Sequence, residues 1–152
     1  MYEYIHEQMK RDFQKCAFSY LLALATVTSI FIYGLNLPKL VTGNVGLVKE
    51  YYYDNYMSSF LLDVVLIAVY LGIAYTVSGF LKISSFVGEW AMVLMVTLLI
   101  SGGFYLYFLS TPLTNMFFSR WFHSVKYKAV IYDMILVSSV FAIKKFLDHK
   151  LE

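Results

Sequence analysis

Apolar residues in this chain fall into four long runs. Short stretches rich in charge, glycine, proline and aromatic side chains separate them. The runs cover residues 16–35, 57–81, 90–109 and 127–147, and each approaches or exceeds the ~20 residues an α-helix needs to cross a bilayer. Within residues 2–15, Tyr2, Ile5, Met9 and Phe13 recur at helical spacing with charges between them. That spacing predicts an amphipathic helix lying in the membrane interface and feeding the first span. The expected fold is all-α: an integral membrane four-helix bundle, a single domain over residues 1–152, with an N-terminal interfacial helix.

The breaks between runs follow turn chemistry. Pro38 disfavours helical geometry in the residue before it, so the first helix should close there. Gly43, Asn44 and Gly46 mark turns in a connecting loop, which leads into Tyr51, Tyr52, Tyr53 and Tyr56. Tyrosine favours the headgroup level, ring inward and hydroxyl in water, so these four are candidate interface anchors. In the second run Ala68, Gly72 and Thr76 stand four apart, a candidate helix-packing seam. The link of residues 82–89 is short enough to force an antiparallel hairpin. Gly102 and Gly103 permit a kink or a close helix contact in the third run, which closes at Ser110, Thr111 and Pro112. Next, Phe117, Phe118, Trp121 and Phe122 alternate with Arg120, His123, Lys126 and Lys128. A short interfacial helix or turn is expected there, with Trp121 and Arg120 as further anchors. Lys144 and Lys145 close the fourth run, where they can snorkel to the headgroups.

Composition strengthens the membrane reading. Only 14% of the residues are charged and 60% are hydrophobic, whereas soluble domains carry about 25% charged residues. The net charge of +2 is spread along the chain, so no basic face suited to nucleic acid is expected. Cys16 is the only cysteine, which excludes an intrachain disulfide and a cysteine-based zinc site. It reads as a packed or lipid-facing thiol, or as a palmitoylation site. The first run is longer than a signal-peptide core and lacks an A-x-A pattern, so it is expected to be retained. Four spans put both termini and Lys82 on one side. That side holds seven basic residues against five on the other, which leans toward cytoplasmic termini.

Two carboxylates interrupt the runs. Asp63 and Asp133 lie 70 residues apart, in FLLDVVLIAVY and VIYDMILVSSV. Each follows an uncharged run, a proline (Pro38 or Pro112) and an aromatic, basic connection. The chain therefore reads as two copies of one helical hairpin, a parallel repeat about an axis along the membrane normal. An aspartate at mid-membrane costs ~2.5–3.5 kcal/mol on insertion scales, and less at a shallower depth. Three roles stay open: a structural one near the positive end of a helix dipole, a shared proton or cation site, and pairing with Arg120 or a lysine of this chain or a neighbour. No third polar side chain is evident beside them.

No nucleophile elbow, zinc-protease or phosphate-loop motif is present. The chain is expected to have no enzymatic activity, cofactor or metal. Residues 117–137, FFSRWFHSVKYKAVIYDMILV, resemble a segment of small multispan proteins of nucleocytoplasmic large DNA viruses. In these, an aromatic, basic entry leads into a span with an early Asp. The lysine and tyrosine bias is similar as well. The resemblance implies a virion or host internal-membrane protein, marks Trp121 and Asp133, and brings no catalytic residue. The leading expectation is a structural or assembly membrane protein, homo-oligomeric or part of a larger complex. The alternatives are a small proton or cation transporter using Asp63 and Asp133, and an accessory subunit of an organelle membrane complex.

Overall fold

The computed structural model describes residues 1–151, which are almost entirely helical. Seven α-helices follow in order: α1 (Tyr2–Val27), α2 (Leu37–Thr42), α3 (Val45–Lys49), α4 (Tyr56–Phe80), α5 (Phe86–Ser110), α6 (Phe117–Val125) and α7 (Tyr127–Leu151). Two π-helical segments extend them: Thr28–Gly34 continues α1, and Glu50–Asp54 continues α3. No strand occurs among the described residues.

Three helices are long and apolar enough to cross a membrane: Glu3–Gly34, Tyr56–Phe80 and Phe86–Ser110. The fourth expected span, α7, is as long as α4 and α5 but is not among them. Lys128, Asp133, Lys144, Lys145 and Asp148 lower its apolar character. Its position explains why it tolerates them. α7 contacts α1, α2, α4, α5 and α6, and it buries Ala129, Tyr132, Val137, Val140 and Phe141 almost completely. Several of its charged groups are also partnered: Lys144 with Asp148, Lys145 with Glu89, and Asp133 with the Ser101 hydroxyl, and buried charges are tolerated when paired.

The N-terminal segment is helical, as its spacing predicts, but it is not a separate interfacial helix. α1 runs unbroken from Tyr2 into the first span. No glycine precedes Gly34 and no proline precedes Pro38, so nothing ends the helix earlier. Ile5, Met9 and Phe13 are exposed; the Tyr2 side chain lies outside the described residues.

The predicted loop between the first two runs is mostly helical too. Gly43 ends α2 in the left-handed region at φ 71°, where a glycine carries no steric penalty. Asn44 then caps α3 by accepting the Leu47 N–H at 3.0 Å. At the α4–α5 link, Ser85 accepts the Gly88 N–H at 3.1 Å as the α5 cap.

Ion pairs and hydrogen bonds fix the antiparallel arrangement at one end. Ser19 of α1 donates to Asp148 of α7 at 2.5 Å, Lys144 pairs with Asp148 at 2.6 Å, and Lys145 pairs with Glu89 at the start of α5 at 2.6 Å. The other end carries α2, α3 and α6.

Two packing expectations change. Ala68, Gly72 and Thr76 face outward, and a side chain added at Gly72 would meet nothing within 4 Å. The inward seam of α4 is instead Ile67, Leu71, Ala74 and Ser78. Gly102 and Gly103 neither break α5 nor sit against another helix, since added Cβ atoms there would meet nothing within 4 Å.

Candidate functional site

Asp63 and Asp133 line one cavity of about 280 Å³. Each stands about two turns into its helix, beyond the first turn where the helix dipole acts. Asp63 Oδ1 accepts the Tyr51 hydroxyl at 2.9 Å. Asp133 Oδ2 accepts the Ser101 hydroxyl at 2.5 Å. An ionised carboxylate offers about four lone-pair sites, so one donor each leaves both with accepting capacity toward the cavity.

The connecting segments build the far wall. The π-helical turn Glu50–Asp54 carries Tyr51 and Tyr52 inward, with their rings edge to face at 4.7 Å. The buried Tyr52 hydroxyl meets the Tyr132 hydroxyl at 2.8 Å. From α6, Phe117 stacks on Tyr51 at 4.8 Å and 23° and on Trp121 at 5.7 Å and 25°. Phe122 lies parallel to Phe108 of α5 at 5.5 Å. Such offset pairs contribute ~0.5–1.5 kcal/mol each beyond the area they bury.

The anchor assignment is therefore corrected for three residues. Tyr51, Tyr52 and Trp121 do not face outward: Trp121 and Tyr52 are about 95% buried, and inward partners satisfy the tyrosine hydroxyls. Tyr53 and Tyr56 are exposed, with the Tyr53 ring edge-on to Tyr33 at 5.5 Å.

Arg120 does not pair with either aspartate. It donates to both oxygens of Glu50, from Nη1 at 2.8 Å and from Nη2 at 2.5 Å. This two-pronged geometry is the strong form of an arginine–carboxylate contact. The Arg120 hydrogen bonds hold the Glu50 carboxyl below its usual range. On the Glu50 side of the Tyr51–Phe117 stack lies a second, shallower pocket of about 180 Å³. It includes Asn55, Ser58 and Ser59, and it shares Tyr51, Phe117 and Phe118 with the deeper cavity. Those three rings form a partition between the two.

Sequence reasoning missed Ser101, Tyr70 and Tyr132 as companions of the carboxylates. Ser101 carried a usable signal: it is a buried hydroxyl in the middle of an uncharged helix, and such a group seeks a partner. Among the described residues no three His, Cys, Asp or Glu side chains come together as they would to hold a metal ion. No lining residue of the deeper cavity is Lys, Arg or His. No family model, curated protein or solved structure matches this chain.

Proposed function

We propose that the chain is a multi-span membrane protein in which α1, α4, α5 and α7 form a transmembrane four-helix bundle, and in which Asp63 and Asp133 hold a proton or cation. The membrane part rests on an inverted surface. Leu61, Val65, Val69, Met95, Leu99 and Leu106 point outward, while Ser19, Ser59, Ser78, Thr97 and Ser101 are buried. Water-facing proteins rarely leave so continuous an apolar exterior, whereas lipid requires one.

One observation carries the choice of transport over a structural role. Both carboxylates open on the same cavity, and no lining residue supplies a compensating positive charge. Acidic groups within a span that face an internal cavity mark ion or proton pathways. Flux through reconstituted liposomes tests this. The intact chain should carry protons or a monovalent cation, and Asp63→Asn or Asp133→Asn should abolish most of it. Flux no greater than in empty liposomes ends the proposal.

The repeat belongs to the same reading. Glu50 and Arg120 are 70 residues apart, the offset that relates Asp63 to Asp133, and they bind each other. Residues at equivalent positions of two copies meet in this way near a two-fold axis. α1 against α7 and α4 against α5 are matching broad contacts. α5 against α7 is the broadest of all, while the corresponding α1–α4 contact is slight and is bridged by the Tyr20 hydroxyl on the Val64 carbonyl at 2.5 Å.

A second reading, an assembly role through self-association, has its own support in the outward Ala68, Gly72 and Thr76 face. Small side chains allow close helix approach between copies in lipid.

A further inference from the structure

We propose that the ligand of the deeper cavity is a small organic ammonium cation with an apolar body, rather than a bare metal ion. This rests on the cation-site reading above and names its substrate class. Three independent features of the cavity point to it.

The first is its walls. Tyr51, Phe108, Phe117, Trp121, Phe122 and Tyr132 all line it. Aromatic faces attract cations, and the attraction is strongest where water is excluded; quaternary ammonium recognition by ring cages uses this contact. The second is charge. Asp63 and Asp133 share this space with no basic side chain, so an ammonium group supplies the missing charge. The third is a phenol in the wall. Tyr70 is 93% buried as a residue and lines the same cavity beside the two carboxylates. Its hydroxyl can hydrogen-bond a protonated amine or a ligand hydroxyl.

Ligand chemistry argues against a hard divalent ion, and size favours an organic cation. Hard divalent ions take six or more oxygen ligands. Here two carboxylates and a few phenols face largely hydrocarbon walls. A cavity of about 280 Å³ is larger than the ~150 Å³ that admits benzene, so it accommodates an ammonium head with a short aliphatic or single-ring substituent. The Tyr51, Phe117 and Phe118 partition separates it from the shallower pocket beside Glu50.

Binding is read on the intact chain in lipid nanodiscs. Trp121 is the native fluorophore in the wall, and a Trp90→Phe background removes the only other tryptophan. Choline and benzyltrimethylammonium are the cations. 3,3-Dimethylbutan-1-ol, the uncharged carbon isostere of choline, is the control and requires no change in the protein. Expected are saturable quenching by both cations, at least about tenfold weaker binding of the neutral isostere, and a similar loss with Asp133→Asn. Tyr70→Phe should weaken an amine bearing N–H or O–H groups more than tetramethylammonium. Equal binding of the neutral isostere, or no saturable response, overturns the proposal. Asp-dependent proton or sodium flux without ammonium binding overturns the ligand class alone and leaves the cation-site reading standing. Absence of both flux and binding removes the two together.

Discussion

Lys126 holds φ 57° and ψ −139° between α6 and α7. An L-residue with a side chain pays ~1–3 kcal/mol to sit in such a region, while glycine enters it freely. Its N–H still donates to the Phe122 carbonyl at 3.0 Å and closes α6, so the conformation is fixed by the junction. Lys126→Gly should therefore raise stability by about 1 kcal/mol relative to Lys126→Ala, once the greater freedom of glycine in the unfolded chain is subtracted. Thermal unfolding in detergent, followed by helical circular dichroism, checks this; a lower midpoint for the glycine variant than for alanine would contradict it. At this scale the sequence was partly legible. Asp63 and Asp133 stood out because ionisable groups within long apolar runs are costly. Tyr51 and Trp121 were misplaced, because an aromatic residue beside a span has the same sequence signature whether it rests at a headgroup or folds back onto a cavity. The hydrogen bond from Tyr51 to Asp63 and the burial of Trp121 against Phe117 separate the two.

Helix ends show how far local chemistry carries. The start of α5 depends on Ser85 accepting the Gly88 N–H, and Gly88 has no room for a side chain. An added Cβ would lie 2.5 Å from Ile83 Cγ2 and 2.8 Å from Ser85 Oγ. Ile83 is branched at Cβ and stiff, so relief comes from displacing the cap. Gly88→Ala should cost about 1 kcal/mol, similar to the loss of an N-cap. Ser85→Ala should cost about as much, and the double variant little more than either, since both act on one interaction. Additive losses in denaturant titrations would show that the crowding acts elsewhere. The long elements α4 and α5 were legible because an unbroken apolar run has few other folded forms. The helices between Leu37 and Asp54 were not. Their turn residues signal interruption, and short helices with glycine and asparagine at their ends satisfy that signal as well as a loop does. The N-terminal helix was correct in type and wrong in independence, because amphipathic spacing gives a period and no axis direction.

At the scale of the whole molecule, the Glu50–Arg120 pair ties the first long connection to α6. The all-helical class followed from the long apolar runs. The wrapped position of α7 did not, because charges along a run look the same whether the helix is central or peripheral until its neighbours are known. The pair gives the assembly an acid response of defined sign. Arg120 lowers the Glu50 carboxyl below its ordinary value, so the folded form binds this proton less readily than the unfolded chain does. The contribution is complete above the ordinary carboxylate range of about 4.3, and it fades as pH falls through the lowered folded-state value. Both side chains are about one-third exposed, so water screens the pair and the global effect is modest. The local effect is larger, because Glu50 directly precedes Tyr51, whose ring forms the partition with Phe117. Amide exchange across residues 50–54, corrected for intrinsic rates, should be slow and level from pH 7 to about 5 and should rise toward pH 3. Glu50→Gln should exchange faster at neutral pH and show no such rise. Identical acid profiles for the parent chain and the variant would mean that the pair does not hold the partition in place, and that the tyrosine turn is kept inward by its aromatic contacts and by Asp63 alone.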